Sequence, residues 1–176
     1  MSRLKMPLFY SVAFVLFLLV FLPKTALYHA AEEQIKPFGL AVADETPVDR
    51  GFDFVLRGGS LYFEDLHVAD LERITVTPWL LYNTVRIAPF AFSPDMEGFT
   101  PTGVDGFSVT YSVLDPLHIR LEGSGAFGSV TGQVALMERK VTMDLIPSAA
   151  LRAKHPFWLK QLRSIEGGAY RYETTY

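Results

Sequence analysis

The stretch FSVTYSVLDPLHIRLEG, residues 107–123, sets the fold class because its side chains alternate between apolar and polar along most of its length. Successive side chains of an extended strand point to opposite faces of a sheet, so this pattern predicts two strands with one apolar face. Asp115–Pro116 separates the two runs and is typical of a tight connection. We therefore expect an antiparallel hairpin here.

The same alternation extends in both directions from this hairpin. Later strands are predicted around Val130–Leu136, Val141–Leu145 and Tyr170–Tyr172, and earlier ones around Phe52–Leu56, Leu61–Phe63, Ile74–Val76 and Val85–Ile87. Turns are predicted at Arg57-Gly58-Gly59, Gly123–Gly125 and Met137–Lys140. The sequence thus predicts a mainly β protein, a curved antiparallel meander of roughly seven to nine strands, open as a half-barrel or folded like a taco.

One face of this predicted sheet is apolar and needs a cover, which is a second layer, the sheet itself or a ligand. We interpret it as a possible face for lipid or for a partner protein. Its predicted members are Phe107, Val109, Tyr111, Val113, Leu117, Ile119, Leu121, Val130, Val134, Leu136, Val141, Met143 and Leu145.

The first 23 residues predict a transmembrane anchor. Residues 6–22 carry no charge, and at 1.5 Å per residue such a helix nearly spans a ~30 Å hydrocarbon core. Arg3 and Lys5 precede it, which favours a cytoplasmic amino terminus. The alternative is a cleaved signal peptide, although the run is longer than usual for one and no clear A-x-A-like site follows.

Two further segments are predicted to be helical. Residues 24–37 resemble a short amphipathic stalk that leads into a β domain over residues 38–176, and Pro37 ends the stalk. A helix at about 148–165 has Ser148 as its N-cap and a break at Pro156. It either plugs the end of the sheet or lies on anionic headgroups, the possible membrane contacts being Arg152, Lys154, Trp158, Lys160 and Arg163.

Several classes of function are disfavoured by the sequence. The formal net charge of −3 gives no basic excess for nucleic acid, and the chain has no cysteine for thiolate chemistry. GSGAFG, residues 123–128, matches a dinucleotide fingerprint, but a strand pattern follows where the site needs a helix. The four histidines lack helical metal-ligand spacing. We expect no catalytic residue, no metal and no cofactor, and hence no enzyme.

The order of features resembles the AsmA-like and type II secretion system protein N group of bacterial envelope proteins. The similarity is carried by the anchor, by the stalk PKTALYHAAEEQIKPFG (23–39), by GGSLYFEDLHVADLERITVTPWLL (58–81) and by PSAALRAKHPFWLKQL (147–162). This resemblance implies a curved open sheet in the periplasm, anchored in the inner membrane of a bacterium with two membranes. Long members of the group have grooves able to bridge membranes, for which this chain is too short.

Two functions follow as hypotheses. The first is a non-enzymatic accessory subunit of an envelope complex, related to type II secretion, with protein partners. The second is a lipid-binding or lipid-transfer module that uses the apolar concave face of the sheet.

Overall fold

The computed structural model describes residues 39–79, 81–96 and 103–176. Nearer the amino terminus it describes Met6, Tyr10, Ser11, Ala13, Phe14, Phe17, Phe21, Pro23, Lys24, Ala26, Tyr28, His29 and Glu33. These residues form a mainly β structure built on one open antiparallel sheet, as the alternation predicts.

The strands follow one another closely along the chain. They are β1 (Leu40–Ala43), β2 (Thr46–Asp49), β3 (Phe54–Arg57), β4 (Ser60–Phe63), β5 (Leu66–Leu71), β6 (Arg73–Pro78), β7 (Tyr82–Ile87), β8 (Phe90–Phe92), β9 (Gly103–Ser112), β10 (Asp115–Gly125), β11 (Gly128–Ala135), β12 (Lys140–Pro147), β13 (Arg163–Ser164) and β14 (Tyr170–Thr175). A short 3-10 turn lies at Pro94–Met96 and another at Glu166–Gly168.

The first eight strands form four bent runs, because β1 leads directly into β2, β3 into β4, β5 into β6, and β7 into β8. Each run pairs antiparallel with the next along its whole length, and the last of them pairs with β9 through both β7 and β8. From β9 onward the order is β10, β11, β12 and β14, with β13 on the outer side of β14. The described sheet is therefore a simple meander.

The bends of the four runs lie side by side and form a crease across the sheet. The crease consists of Asp44–Glu45, Gly58–Gly59, Glu72 and Ala88–Pro89. Backbone bonds continue the ladder across it, from Gly58 N–H to the Glu72 carbonyl and from Leu71 N–H to the Gly59 carbonyl, at 2.9 and 2.8 Å. Gly58 and Gly59 have φ values of 67° and 129°, which glycine adopts without strain.

The crease corrects one prediction from the sequence. Arg57-Gly58-Gly59 was expected to reverse the chain between two paired strands, whereas β3 and β4 continue one another and pair with β6 and β5. Glycine provides the positive φ value that is needed both in a bend within one strand run and in a reversal between two paired strands. The presence of Gly58 and Gly59 therefore does not distinguish a bend from a reversal.

Two predicted hairpin connections are displaced by a few residues. The chain turns at Val113–Leu114, where the Ser112 Oγ accepts a bond from Leu114 N–H, so Asp115–Pro116 already belongs to β10. It turns again at Ala126–Phe127, and Gly123–Gly125 lies inside β10. Gly125 permits the close approach of β9, since a Cβ there would collide with the Gly103 carbonyl.

The helix expected over 148–165 is shorter and divided. It consists of α1 (Ala149–Lys154) and α2 (Pro156–Lys160), and the chain then extends into β13. The Ser148 Oγ caps α1 by accepting from Leu151 N–H at 3.0 Å, as predicted. The break falls at Pro156, which has no N–H to continue the first helix.

The core lies in the bent half of the sheet and includes both faces of β3. Its buried apolar side chains are Phe54, Val55, Leu56, Ala69, Leu71 and Val104, and Leu151 of α1 and Leu159 of α2 are also buried. The amino-terminal segment packs against this core. The Lys24 ammonium, which is buried, contacts both carboxylate oxygens of Asp49 at 3.2 and 3.4 Å.

Tyr28 makes the second contact of this segment with the sheet. Its hydroxyl donates to the Glu45 carboxylate at 2.7 Å, and its ring lies 5.7 Å from that of Phe54. Lys24 and Tyr28 are helical, as are Phe17 and Phe21 before them. Among the described residues no helix has the length and apolarity to cross a bilayer, and most of the predicted anchor at Met6–Leu22 lies outside those residues.

We expect Gly59→Ala to destabilise the fold by about 1–3 kcal/mol, because a side chain is strained at this φ. Its Cβ would also lie 3.1 Å from Val42 Cγ1 and 3.3 Å from Glu45 Cβ. Urea unfolding followed by circular dichroism measures the loss. Gly103→Ala is the matched control, since nothing lies within 4 Å of its Cβ position. Equal midpoints for the two variants would contradict a strained crease.

Candidate functional site

The strand register arranges the apolar side chains in three rows across the sheet, which together we call the apolar face. The rows are Ile87, Phe107, Gly123, Val130, Leu145 and Tyr170; Val85, Val109, Leu121, Gly132, Met143 and Tyr172; and Asn83, Tyr111, Ile119, Val134, Val141 and Thr174. Directly opposed residues of paired strands point to the same side, so each row is continuous.

Glycines interrupt two of these rows without leaving gaps. The Phe107 ring lies over Gly123, where a Cβ would stand 2.7 Å from Phe107 Cδ2. Met143 covers Gly132 in the same way, at 2.9 Å from Cγ. Larger neighbours thus fill the space above each glycine, and the surface stays apolar across β9 to β12.

Burial of this side of the sheet changes from one end to the other. Phe54 and Leu56 on β3 are fully buried, and the Tyr28 ring packs on Phe54. Phe107, Leu121 and the other row members from β9 to β12 are only half-buried. Much of the apolar face therefore remains accessible in the described structure.

The structure brings most of the predicted face residues together. Ten of them belong to the three rows: Phe107, Val109, Tyr111, Ile119, Leu121, Val130, Val134, Val141, Met143 and Leu145. Val113, Leu117 and Leu136 lie instead where hairpins end, and they are exposed. Sequence reasoning left out Val85, Ile87, Tyr170 and Tyr172, because their place beside β9 and β12 depends on register. That these residues bind lipid or protein stays a prediction.

The opposite side of the sheet carries the charged and hydroxyl side chains. It forms a groove of about 460 Å³ over β10, β11, β12 and β14, lined by polar residues that include Arg120, Gln133 and Thr142. This groove lies on the polar side, whereas the hypothesis of a lipid module assumed a concave apolar side.

A bidentate ion pair stands at the edge of this groove. Arg171 Nε and Nη2 donate to the two carboxylate oxygens of Asp144 at 2.6 and 2.7 Å. These bonds, together with the guanidinium charge, hold the pKa of Asp144 below its usual range. The pair joins β12 to β14, since the two residues are directly opposed in the register.

The side chains proposed for membrane contact are all exposed. Arg152, Lys154, Trp158, Lys160 and Arg163 lie on α1, α2 and the residues just after them. These helices sit at the end of the sheet where β10 turns into β11, because Ser148 N–H donates to the Phe127 carbonyl and its Oγ to that of Ala126. Their contact with headgroups stays a prediction.

In the described ranges no three His, Asp or Glu side chains converge as metal ligands would. Two histidines pair with carboxylates three residues away, His118 Nδ1 with Asp115 Oδ1 at 2.7 Å and His67 Nε2 with Asp70 Oδ1 at 2.9 Å. The expectation of a non-enzymatic protein stays a prediction.

No protein-family model, curated protein or solved structure matches the chain.

We expect Arg171→Gln to lower the free energy of unfolding at pH 7, with a difference from wild type that narrows below about pH 4. Asp144 has a folded pKa below its unfolded value of about 3.9, so the pair stabilises the fold above that pH and stops doing so as the pH falls through the folded pKa. Urea unfolding at both pH values measures this. Lys160→Gln, which removes an exposed charge outside this pair, is the control. If Arg171→Gln lowers the free energy of unfolding by the same amount at pH 7 and below about pH 4, the assignment is contradicted.

Proposed function

We propose that the protein is a membrane-anchored, non-enzymatic module that binds the acyl chains of membrane lipids along its apolar face. The observation that carries this proposal is the half-buried state of the three rows from β9 to β12. A partly exposed apolar surface that crosses four strands is typical of an interaction site.

The chemistry of the face suits an acyl chain better than a polar ligand. The rows consist mainly of Val, Leu, Ile, Met and Phe side chains, which offer dispersion contacts and no directional bonds. Hydrogen-bonding groups occur at the margins, as in Asn83 and Thr174. A flexible hydrocarbon chain needs no hydrogen-bonding partner along its length.

The position of the amino-terminal segment supports the same proposal. Helical residues with exposed apolar side chains, including Tyr10, Phe14, Phe17 and Phe21, precede Lys24 and Tyr28, which pack on the sheet. With residues 6–22 in the bilayer, the face stands next to the membrane that supplies its ligand. The resemblance to AsmA-like and type II secretion protein N members supports a bacterial inner membrane, with the β domain in the periplasm.

We expect Val130→Glu to abolish lipid co-purification, because it puts a carboxylate in the middle of the apolar face. Gln133→Glu is the control, since Gln133 of the same strand points to the polar side and is opposed to Arg120 and Thr142. Native mass spectrometry of the full chain from gentle detergent detects the lipid, and circular dichroism checks that both variants fold. A wild-type chain without lipid, or equal loss in both variants, would overturn the proposal.

A second candidate function, the accessory subunit of an envelope complex, is favoured by an open sheet edge. β13 pairs with Arg171 and Tyr170 only, and within the described residues no strand covers the outer edge of Tyr172–Thr175. Tyr176 N–H donates inward to the Arg139 carbonyl, and backbone groups alternate in direction along an antiparallel strand. Glu173 and Thr175 therefore present their backbone groups outward, where a partner strand pairs by β-augmentation.

If this edge binds a partner strand, we expect Glu173→Pro to disrupt the complex while leaving the fold intact. Proline removes an outward N–H without breaking a bond to β12. Glu173→Ala controls for the loss of the contact between the Glu173 carboxylate and Lys140, 3.4 Å apart. Size-exclusion chromatography with light scattering after gentle solubilisation measures the assembly. A wild-type chain that runs alone in every detergent would count against this function.

A further inference from the structure

Alternate turns of the meander lie at the same end of the sheet and carry exposed apolar side chains. These turns follow β2, β6, β9 and β11, and their most prominent members are Phe52, Trp79, Leu81, Leu114 and Met137, which we call the apolar rim. Leu114 is 86% exposed and Met137 78%. The Phe52 and Trp79 rings stack at 5.9 Å, which joins the first two turns.

The turns at the other end of the sheet are mixed. The turn between β4 and β5 is Glu64–Asp65, flanked by exposed Phe63 and Leu66, and the turn between β10 and β11 is Ala126–Phe127. Turns of soluble proteins are usually polar, so an apolar residue at each of the four rim turns calls for an apolar environment.

The amino-terminal segment leaves the sheet at the end that carries the rim. Lys24 contacts Asp49, which immediately precedes the first rim turn, while Tyr28 contacts Glu45 further back along the same bent strand. Gly39 lies at the far end, where its carbonyl accepts from Glu64 N–H. From Tyr28 to Lys24 the segment therefore runs towards the rim, and the helical residues before Lys24, such as Phe17 and Phe21, follow on that side.

We propose that the apolar rim is a second membrane contact, which inserts into the interfacial layer of the bilayer that holds the amino-terminal helix. The strands then stand on the membrane, with α1 and α2 at the end away from it. β12 alone spans roughly 25 Å between the two ends. Trp79 suits this position, because an indole ring favours the boundary between headgroups and acyl chains.

This inference rests on the anchor of the proposed function, and it competes with the predicted contact through the basic helices. Both contacts cannot form on a flat bilayer if the domain stands upright, since α1 and α2 lie at the opposite end. Contact through Arg152 and Lys154 would be electrostatic and sensitive to salt, whereas contact through the rim is apolar and persists at high salt.

The two tryptophans of the chain report on the two ends, since Trp79 belongs to the rim and Trp158 to α2. The full chain is reconstituted in vesicles of phosphatidylcholine and anionic phosphatidylglycerol with brominated acyl chains, as Trp158→Phe to observe Trp79 and as Trp79→Phe to observe Trp158. We expect Trp79 to lose most of its emission in both low and high salt, and Trp158 to keep its emission. Unquenched Trp79, or quenching of Trp158, overturns the inference.

A labelling experiment keeps the test independent of tryptophan substitution. The chain has no cysteine, so Leu114→Cys and Phe157→Cys each introduce one thiol at an exposed apolar position, one on the rim and one on α2. We expect a water-soluble maleimide to label the α2 thiol much faster than the rim thiol in vesicles, and both equally in denaturant. Equal rates in vesicles contradict the rim contact.

Vesicle flotation separates failure of this inference from failure of the anchor. A chain that floats with vesicles but leaves Trp79 unquenched retains its anchor and lacks the rim contact. A chain that does not float overturns the anchor itself, and with it the inference. Lipid co-purification by the apolar face is measured separately and does not depend on either readout.

Discussion

The continuous backbone ladder across the crease is the constraint on which the rest of the structure depends. β9 pairs with β10 along one edge and with both β7 and β8 along the other, so a single strand joins the four bent runs to the strands from β10 to β14. Backbone pairing continues across the crease and on to β12 and β14, with register shifts confined to the two ends of the β9–β10 pair and to Leu61/Tyr62 in β4. The register of these pairs aligns the three apolar rows, and it also places the four rim turns at one end.

The sequence predicts the parts of this fold that follow from alternation, and it predicts them well for local reasons. The strands on either side of residues 113–114, and the one-sided apolar pattern of β10 to β12, need only the two-residue period of an extended chain. The crease is different, since Gly58 and Gly59 serve equally well in a bend or in a reversal. The turn at Ala126–Phe127 was likewise hidden, because Gly125 is needed for the approach of Gly103 rather than for the turn.

The candidate site was also predicted only where it depends on local alternation of side chains. Face residues of neighbouring strands were found from periodicity, while the addition of Ile87 and Tyr170 to the row of Phe107 requires the register of distant segments. The rim was not recognised as a unit, since its five members are scattered over more than eighty positions and only the topology brings them to one end. Apolar residues inside turns are the signal in the sequence that points to it.

The meander also has a kinetic meaning. Within the described sheet every long strand pairs with the run next to it in the chain, so most pairings close short loops, and the pairing of β12 with β14 closes a longer one that holds α1, α2 and β13. Local pairing of this kind favours faster folding than long-range pairing does. During synthesis each new strand can dock on the edge left by its predecessor, beginning at the segment that leaves the ribosome first. New strands are therefore added at one edge of the sheet, the edge that ends at β14, while β1 and β2 form the other edge.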